Sequence, residues 1–186
     1  MARYNKFDKT RDDPFPISRS GIDQFIRDPR TFVLQRKYGV KPPSFAPLTL
    51  AIATDHLLKN EFDSFRDKQS SEHPIFKKFG LGVVPYQHPE IETWRNNFKG
   101  IRYLHEATNL EVFGAIDDIW EDNNSKELYI VDYKSTSKKG DPDIETGWGY
   151  SYKRQMEIYQ WLFRQNGLPV SDKGYFLYVN GIKGDN

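Results

Sequence analysis

A chain of 186 residues with 27 basic and 26 acidic residues, net charge +1, has room for one domain with a real core and no global field to draw in a polyanion. Any such partner must be met by a local basic patch. The absence of cysteine removes disulfides, thiolate zinc sites, cysteine-held iron–sulfur clusters and cysteine nucleophiles together. With no long apolar run and a polar, charged start, the sequence predicts a cytoplasmic protein that enters no membrane.

Residues 1–16, ending in Pro14-Phe15-Pro16, predict an extended or disordered lead-in, and residues 17–186 a single domain. Ser18 or Ser20 is placed to cap a short helix through Ile22, Phe25 and Ile26. Asp28 caps a second helix with Pro29 at its first position, ending near Gly39. Leu48 to Phe65 reads as a helix whose apolar face holds Leu48, Ala51, Leu58, Phe62 and Phe65. Asp55 falls on that face and His56 on its flank. A carboxylate there costs free energy unless paired, so Asp55 is either an ion-pair partner, with Lys59 one turn away, or a ligand.

Between residues 69 and 98, Gly80, Gly82, Pro85 and Pro89 break any long element, and Arg102 to His105 predicts a strand. Gly114 to Trp120 and Leu128 to Lys134 then predict two strands joined by the polar turn 121–126. A turn centred on Asn124-Ser125 sets Asp117 directly opposite Asp132, on one face, where like charges repel. Lys134 shares that face and Tyr133 points away. After a loop from Ser135 to Gly149, a helix runs from about Ser151 to Asn166, stopped by Gly167, and Gly174 to Val179 forms a last strand. Gln155, Ile158, Tyr159 and Leu162 recur at helical spacing, so Gln155 and Tyr159 share the apolar face and the amide needs partners there.

Two carboxylates and an ammonium on one strand face build a poor sheet and a good seat for a divalent cation beside a water molecule. The bland alternative is a solvated cross-strand ion cluster. Ile116, Ile119, Ile130 and Val131 argue against it, because they make both strands apolar on both faces, as in a sheet covered on each side. Asp118, on the opposite face from Asp117, reads as structural or solvated. Lys138, Lys139, Lys153 and Arg154 flank the hairpin and helix in sequence and suit a phosphate backbone, or serve solubility alone.

The motif Gly114-x-x-Asp117, then Asp132-Tyr133-Lys134, then Gln155-x-x-x-Tyr159 resembles the PD-(D/E)XK nuclease superfamily, and within it the RecB-like exonuclease branch that includes the CRISPR-associated RecB-type exonucleases. Ser18 to Phe25 followed by Asp28 to Phe32 is similar to that branch's N-terminal helix pair. The resemblance implies an α/β fold with a mixed central β-sheet flanked by helices, a restriction-endonuclease-like core. It implies metal-dependent hydrolysis of DNA phosphodiester bonds, exonuclease-like, in repair, recombination or processing. Asp117 and Asp132 would hold Mg²⁺ or Mn²⁺, with the Tyr133 carbonyl as a further ligand, Lys134 as the catalytic ammonium, and Gln155 and Tyr159 positioning. Many relatives carry an iron–sulfur cysteine where this chain has Asp28, so no cluster is expected. Laying the relatives' early-helix histidine pattern on Asp55-His56-Leu57-Leu58 puts Asp55 in the ligand position, acceptable to an oxygen-seeking cation. DNA is the implied partner, and a helicase or another nucleic-acid-processing partner is left open. Such nucleases usually continue past the last strand, so a truncated or minimal member is expected. Two other readings stand beside this one: a non-catalytic nucleic-acid-binding module of the same fold, and a glycosidase using the two aspartates, with Trp148, Tyr150 and Tyr152 stacking on a sugar.

Overall fold

A computed structural model describes residues 6–10, 12–41, 43, 49–136, 143–147 and 149–181. The first strand, β1 (Phe15–Ser18), straddles the end of the stretch expected as lead-in, and the chain turns at once into α1 (Arg19–Arg27) and α2 (Pro29–Arg36). Both helices start as their caps dictate. Ser18 Oγ accepts the Gly21 N–H at 3.1 Å, and Asp28 Oδ1 accepts the Thr31 N–H at 3.0 Å, satisfying otherwise orphaned donors. These bonds hold the Asp28 carboxyl below its ordinary pKa. The 18-residue α3 (Thr49–Arg66) buries Leu58, Phe62 and Arg66.

Next come α4 (Pro74–Phe79), β2 (Val83–Pro85), α5 (Ile91–Arg95), β3 (Ile101–His105) and β4 (Leu110–Gly114). The chain closes with β5 (Asp118–Asp122), β6 (Leu128–Thr136), α6 (Gly149–Gln165) and β7 (Val170–Asn180). The fold is mixed α/β with helices flanking the sheets, as expected, but the strands divide between two sheets. One runs β1-β4-β3, with β1 parallel and β3 antiparallel to β4. The other runs β2-β5-β6-β7, with only β6 and β7 parallel. The expected single strand from Gly114 to Trp120 is therefore two strands. β4 ends at Gly114, residues 115–117 cross between the sheets, and β5 begins at Asp118.

Gly114 shows why the crossing lies there. A Cβ on it would stand 2.5 Å from Cε1 of Tyr159, so only glycine lets α6 approach the strand end this closely. The Ile116 N–H then donates to the Trp94 carbonyl at 3.1 Å, outside either ladder.

β6 is the buried spine of the second sheet. The β6–α6–β7 crossover covers one face and α3 the other, so its residues alternate between two cores. Ile119, Leu128 and Ile130 join Met156, Tyr159, Leu162 and Phe163 on the α6 side; Trp120, Tyr129, Val131 and Tyr133 join Leu58, Phe62 and Phe76 on the α3 side. Among the described residues no helix is long and apolar enough to cross a membrane.

Candidate active site

The β5–β6 ladder pairs Asp118 with Val131, Ile119 with Ile130, Trp120 with Tyr129 and Glu121 with Leu128, the register expected from a turn centred on Asn124-Ser125. Asp117 lies one step before the first pair, across from Asp132. It is not part of the ladder. Instead its Oδ2 accepts the Tyr133 N–H at 2.8 Å, filling the position on the flank of β6 that β5 leaves open. The carboxylate is thereby fixed beside that of Asp132, which is only 1% exposed.

Burial and the Asp132 charge push the Asp117 carboxyl up to about 7, against the opposing pull of Lys59 and the Tyr133 N–H, while Asp55 adds a smaller push upward. Asp132 is raised as well, mainly by burial, with Lys134, Arg19 and a hydrogen-bonding contact with Asp117 pulling the other way. Two carboxyls so placed titrate as a pair and resist full ionisation near neutrality.

The remaining groups arrive from the strand and from α6. Lys134 Nζ forms an ion pair with Asp132 Oδ2, stands 3.4 Å from Gln155 Oε1 and lies 4.5 Å from the Tyr152 ring centroid. Gln155 Nε2 donates to Asp132 Oδ1 at 2.6 Å and to the Tyr159 hydroxyl at 3.3 Å. The core-facing amide thus finds its partners on the carboxylate and the tyrosine. Asp132 Oδ2 is buried and has no well-aligned hydrogen bond to any described residue; the Lys134 ammonium lies against it.

From the other side of the sheet, Asp55 Oδ2 accepts a hydrogen bond from Lys59 Nζ at 2.9 Å, and the same ammonium lies 3.5 Å from Asp117 Oδ1. Asp55 therefore faces the pair across a lysine. His56 is exposed and bonds Asn60 at 3.2 Å. Among the described residues no three histidine, cysteine, aspartate or glutamate side chains form a ready ligand cluster. Asp55, Tyr133, Lys134 and Tyr152 line an open cleft of about 210 Å³ together with Ala51, Thr54 and Ser135.

The donor set fits a hard divalent cation. Asp117 and Asp132 are oxygen donors held together against their own repulsion, with the buried Asp132 Oδ2 poorly satisfied, and Asp55 is within one lysine's span.

Three features escaped the sequence reading. Arg19, at the start of α1, reaches the Tyr159 hydroxyl and the field of Asp132. Lys59 stands between Asp55 and Asp117. A third set locks the site from beneath. Asp118, fully buried, takes Arg66 and Arg95 guanidinium donors, the Ile119 N–H at 2.8 Å and the Tyr133 hydroxyl at 2.8 Å. Asp63 accepts from both arginines, and Arg95 Nε donates to the Asp117 carbonyl at 3.1 Å. Tyr133 is gripped at both ends, its N–H on Asp117 and its hydroxyl on Asp118.

Of the basic residues marked for a phosphate backbone, Lys153 is ion-paired to Glu145 and Arg154 to Asp23 of α1. Lys138 and Lys139 lie outside the described residues, as does Trp148.

Asp117 and Asp132 at a strand junction, Lys134 on the strand and Gln155 on the helix thus converge on one place in an α/β fold. A family model, the PD-(D/E)XK nuclease superfamily, matches residues 48–183. The chain belongs to that superfamily. No curated protein and no solved structure matches it.

Proposed function

We propose that this protein is a metal-dependent deoxyribonuclease of the RecB-like branch, exonuclease-like, acting in DNA repair, recombination or processing. The observation that carries the reading is the half-buried Asp117 beside the buried Asp132, with Lys134 and Gln155 upon the latter. The branch assignment rests on Ser18 to Phe32 and on Gln155, which bonds both Asp132 and Tyr159. Asp117 and Asp132 would hold Mg²⁺ or Mn²⁺, with Asp55 and the Tyr133 carbonyl as further ligands once Lys59 moves aside. That cation supplies Lewis acidity to the phosphoryl oxygen and lowers the pKa of a water. Lys134 Nζ orients the attacking water and stabilises the negative charge that grows on the phosphoryl oxygens. Gln155 holds Asp132 and, through Tyr159, fixes that geometry before substrate arrives. No cysteine is present to ligate an iron–sulfur cluster. We place the protein in the cytoplasm, in keeping with a polar chain without a membrane-crossing helix among its described residues.

Incubation with linear and circular DNA in Mg²⁺, Mn²⁺ and EDTA tests the assignment. Loss of linear DNA with either metal and none in EDTA is expected. Nicking of the circle would replace the exonuclease reading by an endonuclease one, and DNA binding without cleavage in any metal would favour a non-catalytic module.

A further inference from the structure

A second concentration of positive charge lies where α1 meets α6. Residues 17–41 carry Arg19, Arg27, Arg30, Arg36, Lys37 and Lys41 against Asp23 and Asp28 alone, in a chain whose total is +1. At the junction itself Arg27 and Arg154 share the single carboxylate of Asp23, which leaves one positive charge in excess among the three. Asp23, only 4% exposed, ties the junction together. It accepts from Ser151 Oγ at 3.0 Å and pairs with Arg154 and with Arg27 Nε at 3.1 Å. Over this cluster opens a cleft of about 270 Å³ lined by Arg27, Gly147, Tyr150, Ser151 and Arg154. Tyr150 is 58% exposed, which is costly for a side chain with an apolar body, with no cover from the described residues.

We propose that this cleft is a nucleotide subsite for a single-stranded nucleic acid whose neighbouring phosphodiester lies at Asp117 and Asp132. The inference rests on the nuclease reading and names the substrate form. Arg154 immediately precedes Gln155, the residue bonded to Asp132, so one turn of α6 serves both places. Guanidinium groups match a phosphate in charge and geometry. An exposed tyrosine accepts the face of a base of any sequence. A single strand fits better than a duplex because only an unpaired, unstacked base offers its face to a ring. Phe25 and Ile26, both about half exposed on the helix that carries Arg27, extend the apolar surface along which such a strand runs.

The test uses the whole chain and a fluorescein-labelled oligothymidylate, followed by anisotropy in EDTA so that no cleavage intervenes. Tyr150→Ala is expected to weaken binding at least about fivefold, Tyr150→Phe to leave it near wild type, and blunt duplex affinity to be unmoved. Arg27→Gln is expected to reduce the magnitude of the slope of log K against log salt by about 0.7, as loss of one single-strand phosphate contact requires. Tyr150 is exposed, so its variants should melt as the wild type does. Arg27→Gln removes one partner of Asp23, so its binding is read at a temperature where its melt shows it folded, and Arg154 is avoided because it joins α1 to α6. Wild-type affinity for the oligothymidylate in Tyr150→Ala, or an equal loss for duplex, overturns the subsite. These losses in a protein that cleaves nothing in Mg²⁺ or Mn²⁺ would uphold the subsite and sink the nuclease reading. Cleavage with no such losses would do the reverse.

Discussion

Asp117 and Asp118 are neighbours in sequence and opposites in circumstance. Asp118, buried on the α3 face, is met by two arginines, a tyrosine hydroxyl and a backbone N–H, and Asp63 pairs with both arginines as well. Asp117, on the other side of the same backbone, faces a second carboxylate, and its own carboxyl is pushed up to about 7. Asp118 is fully buried and Asp117 half-buried, and what differs is the charge each meets. Asp118 faces two guanidinium groups, whereas Asp117 shares its place with Asp132 and Asp55 against the ammonium of Lys59, an arrangement that favours a cation or a proton.

Removing the compensated acid should show the largest effect. Asp118→Ala leaves Arg66 and Arg95 without the buried one of their two shared partners, with only the partly exposed Asp63 remaining, and should cost about 3–5 kcal/mol in urea unfolding, as breaking a buried ion pair does. A loss below about 1 kcal/mol would erase the contrast, because Asp118 would then be as dispensable as a surface acid.

The catalytic side is tested through Lys134. Lys134→Ala should lower the rate of metal-dependent cleavage at least about a hundredfold while DNA affinity holds, because its contacts strengthen as charge builds on the phosphoryl group. Asp132→Ala should lose both cation binding and turnover, and excess Mn²⁺ should not restore them. A Lys134→Ala protein cutting at the wild-type rate would leave the lysine a structural partner of Asp132.

The stored repulsion has a pH signature. The Asp117 and Asp132 carboxyls bind protons more tightly folded than unfolded, so their contribution to stability is present below the ordinary carboxylate range near 4. It is lost as pH rises from there toward about 7. In EDTA, urea midpoints of the wild type should fall relative to Asp117→Asn between pH 5 and 8. Parallel curves for the two proteins would mean that Asp117 is not under strain.

The smallest expected effect belongs to Lys59. Its ammonium lies against Asp55 and 3.5 Å from Asp117, so Lys59→Met should tighten Mn²⁺ binding at the proposed site by roughly tenfold in calorimetry, about 1.4 kcal/mol. Weaker binding would show instead that Lys59 holds Asp55 in place for the cation.

Much of this site was legible in sequence because its logic is local. Alternation along two strands and a short polar turn settle which residues face each other, and the observed pairing runs from Glu121–Leu128 to Asp118–Val131, one step short of Asp117 and Asp132. Helical spacing likewise brings Gln155 and Tyr159 to one face, and Ser18 and Asp28 announce their helices through the N–H groups they cap.

The tertiary structure alone decided the rest. The break at residues 115–117 that divides the strands between two sheets depends on Tyr159 reaching Gly114 from a helix far along the chain. Arg66 and Arg95 meet Asp118 across 52 and 23 residues, and Arg154 meets Asp23 across 131. No periodicity encodes a partner at such separation. A charged side chain shows in sequence only that it must be paired, and packing alone determines with what.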